Sequence, residues 1–368
     1  MKLPISDSLP IKYLAAVFNN TTNSYKFYWF LGILECLKKF NSKEIFIQDV
    51  LTEMIAEVWF PINYFKLSFG KQDRLEKLVI SLKDELKLEK DISKDDLINH
   101  LKNKSNKELI NQLLFDLKRY VPFRFLSPWY NESLRGLPDN NKNNIIYLST
   151  NKNFNHPTER PIYKFSSERT KIILSKEWFD YLIIHLSIIK AFTFWHLINY
   201  LQKNNPNVPN LPEKLFPPLK RKLIVAKNYW QKYLENFKNV KCIYSNQVLS
   251  RDNICIDHYI PWSYVAHDQL WNLLPVISKV NSSKSNNIPS EIYLEKFLNL
   301  QFSAFQFSMK TNIISKKSLE DYSVIFNDTL NNIYSFKKKR FIEILSDNIK
   351  PNMQIAINMG FGANWVFN

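Results

Sequence analysis

The sequence predicts an α+β protein, mostly α-helical, with short strands set into a helical body. Two observations predict it. Apolar residues recur at helical spacing along most of the chain, as Leu75, Leu78, Val79, Leu82 and Leu86 do between charged neighbours. Strand-like runs are few and short, at 145–148, 161–165, 170–174 and 254–259.

Residues 1–125 form a helical N-terminal region. Thr22 or Asn23 can cap a helix over 24–40. A second covers 47–60 and is ended by Pro61. Residues 74–90, 93–101 and 106–120 continue the helical pattern, and Pro122 stops the last of them. The aromatic stripe Tyr25, Phe27, Tyr28, Trp29 and Phe30 lies within an apolar helix and reads as core rather than as a base-stacking surface.

Residues 126–238 read as a mixed α/β region with long helices. Pro128, the turn Gly136-Leu137-Pro138 and the polar run 139–144 are loop signals, followed by the strand-like run 145–148. The runs 161–165 and 170–174 form a hairpin. Arg124, Arg135, Arg160, Lys164, Arg169 and Lys171 make this stretch either a DNA contact surface or a small sheet with exposed charge. Residues 176–201 read as one long buried helix with His185 and His196 on one face, too far apart to share a metal. Five prolines in 204–218 mark an elbow. Residues 219–237 then form a basic amphipathic helix whose Lys220, Arg221, Lys222 and Lys227 are candidate nucleic-acid contacts, a solvated lysine face being the plainer reading. Residues 239–300 form a compact module, and 301–368 a helical C-terminal region with the cationic cluster Lys337-Lys338-Lys339-Arg340. The last ten residues are apolar enough to dock on the body.

Composition bounds the function. With 368 residues, more than one domain is expected, and a hydrophobic fraction of 45% allows a sizeable core. Fifty basic against 34 acidic residues give a net charge of +16, which favours a polyanionic partner. Three cysteines (Cys36, Cys242 and Cys255) make no disulfide framework. The first residues lack the apolar core of a signal peptide, and the longest apolar runs fall short of a membrane span. A cytoplasmic protein with no membrane association is expected. The few glycines form neither G-x-G-x-x-G nor a P-loop, so no nucleotide-hydrolysing motor is visible.

The chemistry concentrates around Asp257-His258. Asn272 follows after thirteen intervening residues, Asn281 after eight more and Lys284 after two more. Aspartate is a hard oxygen donor suited to Mg²⁺ or Mn²⁺. Histidine can take a proton from water near neutral pH. Asparagine offers a neutral oxygen as ligand or as a tie to backbone.

This stretch resembles the HNH (ββα-metal) endonuclease family, whose pattern is roughly D-H-x-x-P, a loop, N-L, then N-x-x-K. Here it reads Asp257-His258-Tyr259-Ile260-Pro261, Asn272-Leu273 and Asn281-Ser282-Ser283-Lys284. The tail 281–291 is also similar to the HNH domain of RNA-guided CRISPR effector nucleases. The resemblance implies a strand over 254–259, a loop over 261–268, a short second strand or turn over 270–274 and a helix from 276 carrying Asn281. It further implies that Asp257 and Asn281 bind one Mg²⁺ or Mn²⁺ and that His258 activates water. Asn272 would tie the loop so that His258 points correctly, and Lys284 would meet a phosphate or stay solvated. His267-Asp268 lies in the wrong register and reads as loop. Many HNH domains also carry two C-x-x-C pairs holding a structural zinc. The corresponding positions are Cys242 with Ser245 and Ile277 with Val280, so no structural zinc is expected.

The expected protein is therefore a metal-dependent DNA endonuclease of the bacterial restriction or anti-phage kind. RNA stays open as substrate, as do a homodimer and a sensor or ATPase partner protein. The alternative is a protein that binds nucleic acid or a partner through a degenerate HNH fold without cleaving.

Overall fold

A computed structural model describes all residues except Met1, Asn20, Leu219, Lys220, Lys222 and Ile313. The fold is α+β and mostly helical. The chain divides into two compact units, one of residues 1–206 and 214–217, the other of 207–213 and 218–368.

The first unit is built on the helix Tyr25–Phe40, which packs against the helix Ile47–Trp59. Phe27, Tyr28, Trp29 and Phe30 are buried. The two helices approach closely at Gly32, where a Cβ would stand 2.6 Å from the Val50 carbonyl oxygen. Strands β1 (Glu44–Phe46), β2 (Tyr163–Phe165) and β3 (Lys171–Leu174) form an antiparallel sheet in the order β1-β3-β2. The hairpin read from 161–165 and 170–174 is β2–β3, with Phe165 opposite Ile172. β1 was not legible, being three residues long and flush against a helix.

Three local expectations are corrected. Residues 139–148 are neither loop nor strand but part of the helix Asp139–Lys152, because Ile146 and Thr150, four apart, are the residues that face the core. Pro122 lies inside the helix Phe115–Phe125, where the residue that loses a helical partner, Lys118, is exposed to water, and the Pro122 carbonyl accepts from the Tyr163 hydroxyl at 2.5 Å. The long helix over 176–201 is two, Lys176–Ile184 and Leu186–Asn204, bent by 80°. No proline or glycine marks this bend. It takes His185 and His196 off any common helix face. No single described helix is long and apolar enough to cross a membrane, although this bent pair passes together by length and composition.

Much of the positive charge in this unit is neutralised internally. Lys94 Nζ lies 2.5 Å from Glu57, 3.4 Å from Glu53 and 3.6 Å from Glu35, and Lys39 and Lys190 pair with Glu53 and Glu35. These pairs remove positive and negative charge alike, so the +16 excess is carried by the other basic residues.

In the second unit one hydrophobic core runs from the helix Ile224–Asn236 through the ββα unit to the C-terminal helices. Strands β4 (Ile254–His258) and β5 (Leu273–Ile277) pair antiparallel, and the helix Ser278–Lys284 follows directly. The expected strand or turn over 270–274 is a 3₁₀ turn at Leu270–Asn272 followed by β5, which runs through Pro275 opposite Ile256. A two-stranded ribbon has a free edge for Pro275, so the residue does not break the strand. The helices Leu294–Thr311 and Lys316–Phe326 brace this unit. Phe297 stacks on Tyr259 at 4.1 Å between centroids, Gln301 Nε2 donates to the Leu273 carbonyl at 2.7 Å, and Asp321 Oδ2 accepts from the Leu270 N–H at 2.9 Å. The final segment docks as well, with Trp365 bridged to Pro289 and packed on Tyr244.

Candidate active site

The site stands at the end of β4. In a strand, residues two apart share a face, so Cys255 and Asp257 project together. The Cys255 thiol donates to the Val276 carbonyl at 3.5 Å, and Asn281, on the helix Ser278–Lys284, is near enough to draw the thiol pKa down slightly against burial, which places it by that same face. Asp257 is buried, and Tyr244 Oη donates to its Oδ2 at 3.4 Å. Its other partner is Lys284. The Lys284 ammonium, fully buried, lies 3.2 Å from each carboxylate oxygen and donates to the His258 carbonyl at 2.6 Å. Burial pushes the Lys284 amine down from its ordinary value, against the pull of Asp257. Sequence left Lys284 between a phosphate contact and a solvated side chain; the structure puts it inside the site as the counter-ion of Asp257.

His258 is 2% exposed. Its Nε2 lies 2.9 Å from Asp268 Oδ1, and its Nδ1 is buried with no hydrogen-bond partner among the described residues. Burial lowers its pKa below the usual 6.5, while Asp268 and Asp257 raise it and Arg221 adds a lowering push. Asp268 is the functional residue that sequence reading missed. The short helix Trp262–Val265 ends in a left-handed residue, Ala266 at φ 52°, and the chain doubles back to bring Asp268 to the imidazole. The only sequence signal was the His267-Asp268 pair itself, with nothing in its spacing to mark it.

Asn272 is fully buried and clamps the loop. Its Oδ1 accepts from the Ile260 N–H at 2.8 Å, its Nδ2 donates to the Ile260 carbonyl at 2.9 Å, and its own carbonyl accepts from the Tyr259 N–H at 2.8 Å. Two residues beyond His258, Ile260 is thereby fixed at both backbone groups.

The candidate nucleic-acid contacts are only partly placed. Lys220 and Lys222 lie outside the described residues. Arg221 and Lys227 are exposed, and Arg221 acts electrostatically on His258. The helix itself is shorter than the sequence suggested, starting at Ile224.

Of the four positions that hold zinc in many HNH domains, only Cys242 carries a thiol here. Cys242 is buried in a turn closed by its N–H to the Gln247 carbonyl, at 2.8 Å, and by the Asn246 N–H to its own carbonyl, at 2.9 Å. Val280 is fully buried, and Ile277 packs against the same core. Among the described residues no three His, Cys, Asp or Glu side chains converge as a metal cluster. A cation at the site would rest on the Asp257 carboxylate and the neutral oxygen of Asn281. Hard oxygen donors suit Mg²⁺ or Mn²⁺, and the buried cation already beside Asp257 shows that the carboxylate is placed to hold positive charge.

Residues 242–290 match the model of the HNH endonuclease family. The chain carries an HNH endonuclease domain. No curated protein and no solved structure matches the chain. The match covers the HNH module and none of the first unit. HNH domains are generally nucleases that use a divalent metal and bind nucleic acid, and within this one the strand–strand–helix order and the D-H, N and N-x-x-K positions all fall inside the matched residues.

Proposed function

We propose that this chain is a divalent-metal-dependent endonuclease that hydrolyses phosphodiester bonds in DNA, in a bacterial restriction or anti-phage role. The observation that carries the reading is the bare Nδ1 of His258 on an imidazole whose other nitrogen is held by Asp268, next to the buried Asp257. Burial lowers the His258 pKa and so favours the neutral imidazole, whose Nδ1 would take a proton from a water admitted beside it. The proton comes from a water whose oxygen attacks phosphorus as the bond to the 3′ oxygen breaks. Asp268 stabilises the imidazolium that results. Asp257 and Asn281 would hold one Mg²⁺ or Mn²⁺, which supplies charge stabilisation at the phosphoryl and leaving oxygens. Asn272 fixes the backbone that aims His258, and Arg221 and Lys227 would meet DNA phosphates. DNA rather than RNA and the defence setting rest on the sequence resemblance, and a cytoplasmic location on the cysteine usage and the short apolar runs. One such site cuts one strand, so a double-strand break would take a homodimer or two nicks, and a sensor or ATPase partner would act upstream of the cut.

A second reading is favoured by one observation. Lys284 fills the cation position of Asp257 and both it and His258 are buried, as in a protein that binds without cutting. Supercoiled plasmid incubated with the protein and Mg²⁺ or Mn²⁺ separates the two. Nicked or linear product from wild type, absent with EDTA and with His258→Ala, is expected; intact plasmid with both metals, together with undiminished DNA binding, would establish the non-cleaving protein.

A further inference from the structure

The first unit contains a cavity of ≈ 750 Å³ between the start of the helix Tyr25–Phe40, the start of the helix Leu75–Glu85 and the helix Phe115–Phe125. Its wall is built rather than incidental. Asp73, 4% exposed, accepts from the Ser24 N–H at 2.6 Å and from the Leu75 N–H at 2.9 Å, and the Tyr25 hydroxyl accepts from the Arg74 N–H at 2.7 Å. These bonds pin the two helix starts to each other, so the cavity cannot close by their sliding together.

The charges on the wall are Lys26, Arg74 and Arg124 against Asp116 and Asp139. Asp139 points largely to solvent, where Lys142 holds it at 2.8 Å and Arg124 at 3.4 Å. Lys26 has no ion pair among the described residues, and its Nζ reaches only the Val17 carbonyl at 3.4 Å. Its pKa is pushed down to about 8, by burial first and by the Arg124 guanidinium second. The sixteen-residue helix that begins at Tyr25 has no acidic residue in its own first turn, and its N-cap N–H, on Ser24, is met from outside the helix by Asp73. Lys26 is thus left without a carboxylate partner beside Arg124, which Asp139 holds only from its exposed side, an arrangement that an anion relieves. The opposite wall is apolar, with Leu78, Leu113, Leu117 and Val121 beside the half-open ring of Tyr120.

We propose that this cavity binds a free nucleotide, with its phosphates on Lys26 and Arg124 and its base against Leu113, Leu117 and Tyr120. The volume falls within the range of small-molecule sites, about 300–1,000 Å³, and is too small to admit a nucleic-acid duplex. The site is separate from the HNH module and does not depend on its activity.

The test is calorimetric titration of the full-length protein with adenosine and guanosine mono-, di- and triphosphates, with inorganic pyrophosphate and with a single-stranded oligonucleotide. Saturable binding of at least one nucleotide is expected, weakened tenfold or more in Lys26→Met and in Arg124→Gln, and largely retained in Lys26→Arg. Lys26→Met also removes a buried cation from beside Arg124, so its melting temperature should hold or rise, and lost binding in that variant cannot then be laid to unfolding. Absence of saturable nucleotide binding overturns the proposal, and so does nucleotide binding that Lys26→Met leaves unchanged. Pyrophosphate binding as tightly as any nucleotide overturns the assigned class. Oligonucleotide binding that falls in the variants while no nucleotide binds makes the cavity a nucleic-acid contact instead.

Discussion

Nε2 of His258 lies 2.9 Å from Oδ1 of Asp268, ten residues further along the chain. An ionised carboxylate can only accept, so Nε2 carries the proton and Nδ1 is the basic nitrogen. The carboxylate also opposes burial by drawing the His258 pKa upward. Asp268→Asn should therefore do two things together. The cleavage rate should fall on the order of 10–100-fold, the usual loss when the partner that orients a working group is removed. The acid limb of the rate–pH profile, which reports protonation of the base, should move to lower pH because the imidazolium has lost its stabilising charge. Steady-state cleavage measured across pH in both proteins checks this. A profile and a rate that both stay put would show that Asp268 does not act on His258.

On the proposed reading, Lys284 and a metal ion would compete for the Asp257 carboxylate. With Lys284→Met, the buried Asp257 keeps, among the described residues, only the Tyr244 hydroxyl as a polar partner, at 3.4 Å. Breaking a buried pair by removing one partner costs about 3–5 kcal/mol, so the variant should melt well below wild type in EDTA. Added Mn²⁺ replaces the missing charge and should raise the melting temperature of the variant more than that of wild type. Thermal melts of both proteins with and without Mn²⁺ decide it, and an equal response in the two would place metal binding away from Asp257.

Asn272→Ala removes two hydrogen bonds to Ile260 from a fully buried position. Each backbone group left unpaired costs about 1–3 kcal/mol. The loss should appear as a lower denaturation midpoint with an unchanged m-value. Since Ile260 follows His258 by two residues, cleavage should fall further than the folded fraction alone explains. Denaturant titration beside cleavage at a temperature where the variant is fully folded separates the two effects. Activity that tracks only the folded fraction would confine Asn272 to stability.

The part of the site that was legible in the sequence is the part fixed by local geometry. Asp257 and His258 end one strand, Asn272 precedes the next, and Asn281 and Lys284 are three apart on one short helix, so linear spacing carries their relationship. Asp268 was not legible, because its approach to His258 depends on the left-handed turn at Ala266 and no residue type announces that turn. The position of Lys284 was misjudged for a different reason. Its burial comes from the fit of the helix Ser278–Lys284 under β4, a packing fact that a lysine among serines does not advertise. In the first unit the hairpin and the aromatic helix could be read from alternation and apolar clustering. The helix Asp139–Lys152 could not, since its Asn-rich first turns resemble loop until Ile146 and Thr150 are seen to face the core.

Asp321 links the brace to the site and carries a stability prediction with a definite sign. Its carboxylate accepts from the Leu270 N–H at 2.9 Å, at the turn that leads into Asn272. Burial raises its pKa above the usual 3.8, the Leu270 bond pulls it back, and Glu320 adds to the rise. A carboxyl whose folded pKa is raised binds its proton more tightly in the folded state, so it favours folding below the unfolded value and loses that advantage as pH climbs through the folded value. At neutral pH the ionised group is thus a net cost, small because part of the carboxyl still meets solvent, under about 1 kcal/mol. Asp321→Asn keeps an acceptor for Leu270 without the charge. The variant should melt higher than wild type at pH 7, and the difference should shrink as pH falls toward 4. Asp321→Ala, which loses the bond as well, should melt lower at both. Melting curves of the three proteins at the two pH values test the assignment, and an Asn variant that gains nothing at pH 7 would mean that the charge contributes through its bond to Leu270 more than burial takes away.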